Sequence, residues 1–250
     1  MESIIQGAGD AHVARRRSTR GAVRRQPRRR PAPPARELVA PGLPGPLPVP
    51  GEPVRLGRDL VTNSQFAMFL DDPVNAGWRR DGSGGAAASR SSSYLRHWWA
   101  GSLPDGQRDH PVVYVSPVAA AAFCEWAGRQ VGLRLRLPYW HEWARAARAG
   151  RNSDAWLRED LTAGRVNCRS TIRALAPVGT LDPNPCGFRD LLGNAFDLCL
   201  DPDRSGQVLC CGGAFDTPEG LLLSPEPIAP DECRANVGFR YAVELEPERG

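Results

Sequence analysis

Residues 186–216, CGFRDLLGNAFDLCLDPDRSGQVLCCGGAFD, constrain the fold more than any other stretch of this chain. A turn rich in Gly, Asn and Asp leads into an apolar run, and a Gly212–Gly213 corner closes the segment. Asp190, Asp197 and Asp201 bracket a loop that contains Gly193 and Asn194. Carboxylate, amide and backbone carbonyl oxygens are what a hard cation such as calcium takes. The same residues also make an ordinary Asx-rich turn between two buried elements. Spacing alone does not choose between the two, so the rest of the chain has to.

A chain of 250 residues suits one large domain, or one domain with a tail. Its 41% of apolar residues, seven Trp among them, is enough for a core. No run of eighteen apolar residues predicts a transmembrane helix. No apolar signal-peptide core precedes the arginines that begin at Arg15, so the expectation is a cytoplasmic protein. Every basic residue is Arg, which with the abundant Ala, Gly and Pro reads as coding bias and weakens the Arg count as functional evidence. Ten of those arginines lie in residues 1–50 against Glu2, Asp10 and Glu37, which leaves the remainder of the chain slightly acidic.

The seven cysteines are Cys124, Cys168, Cys186, Cys199, Cys210, Cys211 and Cys233, and no two are spaced C-x2-C or C-x4-C. That removes zinc ribbons, thioredoxin-like motifs and most thiolate metal clips. Scattered cysteines of this kind act as small buried hydrophobes.

Taken in order, residues 1–50 are Arg clusters followed by Pro-rich runs, which cannot bury enough apolar surface to offset chain entropy and read as a disordered tail. Such a tail is a basic arm for nucleic acid or an acidic partner, or translated upstream sequence without a role. No aromatic interleaves the Arg clusters, so base stacking is not suggested. From Val54 a short strand precedes a helix capped near Thr62 or Asn63, with Phe66, Phe69 and Leu70 on one face. Residues 72–94 are a loop with a Gly/Ser-rich insert. Val112 to Val115 reads as a strand, and Ser116 caps an amphipathic helix with Pro117 at its first position. LRLRLP is a short strand, and the helix opened by Tyr139 or Trp140 ends at Gly150. Short strands are expected near 165–168 and 176–179, a Pro-broken loop over 216–235, and one last strand in VGFRYAVEL, with 244–250 as a C-terminal tail. Short strands and two helices among many loops make an α+β fold with much irregular structure.

The order of motifs resembles the sulfatase-modifying-factor family, the formylglycine-generating-enzyme-like domains. The matching pieces are VTNSQFAMFL, HPVVYVSPVAAAAFCEWAG, RLPYWHEWARAAR, APVGTLDPNPCGFRDLLGNAFDLCLD, CCGGAFD and DECRANVGFRYA, which together span residues 54–243. The resemblance implies a C-type-lectin-like fold. Enzymes of that family convert a substrate cysteine to formylglycine with oxygen and copper held by two cysteines, spaced C-x4-C just after the Gly-Gly corner. Here Thr217 and Leu222 stand at those positions, and Ala214 replaces a serine. Soft thiolates select Cu(I), so Thr and Leu cannot substitute and copper chemistry is not expected. A second branch, the sulfoxide synthases of ergothioneine-type pathways, adds an iron site built on histidines. This chain has His12, His97, His110 and His141 with no matching spacing.

The resemblance carries over better at calcium. The family's ligands map onto the side chain of Asp190, the carbonyls of Gly193 and Ala195, and Asp197 in place of the usual Glu. A second family calcium site retains Asn167 but has a shortened loop. The expectation is therefore a non-catalytic recognition domain that presents loop 214–236 to a protein or small ligand, with Asn194, Phe215, Asp216, Thr217 and Glu219 as candidate contacts. Leu221, Leu222 and Leu223 are either a sticky patch or core. The alternatives are a formylglycine-generating oxidase or related thiol oxidoreductase, and a nucleic-acid-associated protein that uses its N-terminal arm.

Overall fold

The computed structural model describes Leu43 and residues 45–79, 91–98, 101–152 and 155–245. The expected Arg-rich tail up to residue 42, the Gly/Ser-rich insert at 81–90 and the end of the C-terminal tail at 246–250 lie outside the described residues. The C-terminal part of the Pro-rich stretch is structured: β1 (Leu47–Pro48) pairs with β2 (Val54–Leu56), and Val49 is buried.

Thr62 starts α1 (Asn63–Asp71) with a reciprocal cap. Its hydroxyl accepts from the Gln65 amide at 3.3 Å while Gln65 Oε1 accepts from the Thr62 amide at 2.9 Å. The helix buries the expected face of Phe66, Phe69 and Leu70. Ser116 caps α2 (Pro117–Val131), its hydroxyl accepting from the Ala119 amide at 3.2 Å. Phe123 of α2 then stacks on Phe66 with centroids 5.7 Å apart and meets Phe239 edge-on at 5.4 Å. Such ring pairs add about 0.5–1.5 kcal/mol each beyond their buried area. This aromatic knot is the centre of the larger core cluster.

After α2 come β3 (Leu135–Arg136) and α3 (Trp140–Arg148). Glu142 ties them: Oε2 accepts from the Tyr139 amide at 2.8 Å, and both carboxylate oxygens accept from Arg136 at 2.7 and 2.8 Å. The strand read into LRLRLP is thus only two residues long. A further helix, α4 (Trp156–Thr162), lies in what reads as loop from the sequence. It lacks a side-chain N-cap, and its Asp160 is held from outside the helix by Arg151 at 2.8 Å to each oxygen.

The remaining strands are β4 (Phe196–Leu200), β5 (Val208–Cys211), β6 (Glu226–Ile228), β7 (Val237–Gly238) and β8 (Ala242–Glu244). One sheet runs β1-β2-β8-β3 and the other β6-β5-β4-β7, with β4 and β7 parallel. Several sequence expectations are corrected here. VGFRYAVEL is two strands in different sheets, because the chain between them turns Arg240 into the interior. Val112–Val115 forms no ladder: Tyr114 takes a φ of 56°, which breaks the extended run after the Thr62–Pro111 bridge. Residues 165–168 make only the isolated bridge Asn167–Gly193, and 176–179 form no strand. The loop 216–235 is interrupted by β6 on the sheet edge. No helix among the described residues is long and apolar enough to cross a membrane.

Candidate functional site

Two neighbouring pieces of backbone carry the candidate residues: the loop from Asp190 to Asp197, and the corner from Gly212 to Leu222.

The loop is built on left-handed backbone at Asp190, Gly193 and Asn194, with φ of 52°, 78° and 60°. At Gly193 this freedom is required, since a Cβ there would lie 2.0 Å from the Asn167 carbonyl oxygen. Asn194 is buried and faces inward. Its Oδ1 accepts from the Ala176 amide at 2.9 Å and from Asn167 Nδ2 at 3.2 Å, while its Nδ2 donates to the Ala176 carbonyl at 3.1 Å. The side chain therefore stitches segment 174–176 to the loop rather than facing solvent. Asn167 donates to Ala174 O at 2.8 Å, and its own Oδ1 is buried with no hydrogen-bond partner among the described residues.

Asp197 leaves the loop on β4 and is fully buried. Its Oδ2 accepts from Trp143 Nε1 at 2.9 Å and from Arg240 Nε at 2.8 Å. The four remaining N–H groups of Arg240 donate to the carbonyls of Gly57, Arg58, Arg189 and Asp190 at 3.0–3.2 Å, which satisfies all five donors of the guanidinium. Among the described residues Asp197 Oδ1 has no donor, and it is shut off from water. Asp190, also buried, accepts a long bond from the Gly179 amide at 3.4 Å and no other side-chain hydrogen bond among the described residues. Burial pushes the Asp190 carboxyl up to about 6, against the opposing pull of the Gly179 amide and Arg240. Burial likewise raises Asp197, opposed by Arg240 and the Trp143 indole. Neither Arg240 nor Trp143 is singled out by sequence motif reasoning. The available signal is a charged residue inside the otherwise apolar run VGFRYAV.

Two buried carboxylates thus face one buried guanidinium, and one of their oxygens is orphaned. Asp190, the Gly193 and Ala195 carbonyls and Asp197 are all hard oxygen donors, the type that a cation such as calcium takes. Among the described residues no three His, Cys, Asp or Glu side chains converge as a metal cage.

The corner follows β5. Gly212 and Gly213 have φ of 89° and 73°. A Cβ on Gly212 would lie 2.2 Å from the Leu191 carbonyl oxygen, and one on Gly213 would lie 2.5 Å from Leu222 Cδ2. Thr217 is buried, and its hydroxyl accepts from the Ala214 amide at 2.9 Å. Leu222 is sealed in the core cluster of Trp143 and Cys211. Leu221 and Leu223 point outward, so the leucine triplet is split between core and surface.

Phe215 is half-buried, whereas Asp216 and Glu219 are exposed. The Asp216 carboxylate accepts from Asn236 Nδ2 at 3.1 and 3.2 Å, and its carbonyl accepts from Arg169 Nε at 2.8 Å. Glu219 is hydrogen-bonded to the Ser170 hydroxyl. The segments 169–173 and 215–219 are therefore one knitted surface.

The seven thiols are all free, and six are buried with Cys186 half-exposed. Burial pushes Cys210 up to about 12 and Cys233 to about 11. Thiols so raised are poor nucleophiles and poor metal ligands. His110 is half-buried, with burial lowering its pKa, and His141 stacks on Tyr139 at 5.8 Å. His97 packs on Tyr114 at 5.5 Å, and His12 lies outside the described residues.

A family model described as the sulfatase-modifying factor enzyme 1-like domain matches residues 49–245. A formylglycine-generating enzyme from Thermomonospora curvata is 29% identical over 255 residues, covering 77% of this chain and 82% of that protein. Hercynine oxygenase of Mycobacterium tuberculosis is 30% identical over 168 residues, 60% of this chain but only 38% of that protein. The inactive C-alpha-formylglycine-generating enzyme 2 of Mus musculus is 29% identical over 182 residues, covering 58% of this chain and 57% of that one. Among solved structures, Treponema denticola variable protein 1 superposes with a TM-score of 0.55 at 18% identity, covering 77% of this chain and 84% of the other. That likeness shows the fold, a C-type-lectin-like one.

Proposed function

The chain belongs to the sulfatase-modifying-factor family, and from that premise we propose that it is a non-catalytic recognition domain whose surface around residues 214–236 takes a protein or ligand. The observation that carries this reading is the state of the two positions where the family's copper thiols belong. Thr217 spends its hydroxyl on the turn, and Leu222 fills the core beneath Gly213. Neither offers sulfur, and a thiolate pair is what a soft Cu(I) ion requires. The copper group does not fit this chain.

Calcium does fit, as a structural ion held by Asp190, Gly193, Ala195 and Asp197. Bound there, it would supply the positive charge and the oxygen cross-link that the orphaned Asp197 Oδ1 lacks. It would brace the loop whose far side carries Phe215, since the Phe215 amide donates to the Asn194 carbonyl at 3.0 Å. Candidate contacts on the surface are Phe215, Asp216 and Glu219, while Asn194 and Thr217 support them from beneath. We place the protein in the cytoplasm, which seven unpaired thiols suit.

The deciding experiment is anaerobic Cu(I) titration of the full chain, followed by incubation with a cysteine-containing peptide in oxygen. Absence of stoichiometric copper binding and of peptide oxidation is expected. Stoichiometric copper with aldehyde formation would overturn the reading in favour of an oxidase.

A further inference from the structure

We draw no further inference here: the strongest candidate, the groove of about 570 Å³ between α2 and the stretch from Leu133 to Leu137, has its three arginines, Arg129, Arg134 and Arg136, already paired with Glu125, Glu244 and Glu142, so nothing in the structure shows what covers it.

Discussion

Arg240 donates its Nε to Asp197 Oδ2 at 2.8 Å, with neither side chain reaching solvent. The bond joins β4 to the segment between β7 and β8, and the same guanidinium gathers carbonyls from residues 57–58 and 189–190. One side chain thus links both sheets to the loop that carries the candidate site.

Removing it should be severe. Arg240→Met leaves Asp197 as an uncompensated buried charge and strands four carbonyls, which costs about 3–5 kcal/mol. Asp197→Asn keeps the shape but loses the charge pairing, and should cost less. Urea denaturation of both variants checks the order; equal stability of wild type and Arg240→Met contradicts the account.

This centre also marks the limit of what was legible in the sequence. Local signals suffice where chemistry and structure are neighbours in the chain: a cap at Thr62 or Asn63, which falls on Thr62, a cap at Ser116, and the Phe66, Phe69, Leu70 face. Glycine and asparagine likewise marked the positive-φ turns around 193 and 212. What was not legible depends on residues far apart. Arg240 reaches carbonyls 182 and 183 positions away, and that pull splits what the alternation writes as one strand. The helix α4 escaped because its anchor, Asp160 held by Arg151, is not a capping signal. The Leu221–Leu223 run has no period that says which leucine turns inward.

That last point gives a sharp contrast. Leu222→Ala opens a cavity in the core cluster of Trp143 and should cost about 2–5 kcal/mol. Leu221→Asp, on the exposed neighbour, should leave thermal stability within about 0.5 kcal/mol of wild type. Thermal melts separate the two positions, and a large stability loss in Leu221→Asp would contradict the split.

Gly193 should tolerate no side chain. An alanine Cβ would meet Asn167 backbone at 2.0 Å, with no flexible group to move aside, in a φ that L-residues rarely adopt. Gly193→Ala should therefore fail to accumulate as folded protein. Gly220→Ala, with open space at its Cβ, should be harmless. Soluble yield and proteolysis rates of the pair report the difference.

Asp190 makes the metal-free protein lose stability as pH rises. Its carboxyl titrates at about 6 when folded against 3.8 for the free group, so the folded state binds more protons between those values. By linkage, stability falls from about pH 4 to pH 6 and stays low above, by roughly 2–3 kcal/mol for this group alone. Asp190→Asn cannot ionise, so it should flatten that part of the profile in chelator and be relatively more stable at pH 7.5 than at pH 4.5. Calcium acts in the opposite sense, since it favours the charged carboxylate and restores at pH 7.5 what ionisation costs. Wild type should gain melting temperature with calcium over EDTA, Asp190→Asn should gain little, and magnesium, which keeps its waters, should do less than calcium. A calcium shift of equal size in both proteins would place the ion elsewhere, and a wild-type profile that rises through pH 4–6 in chelator would show that Asp190 is not the group that sets it.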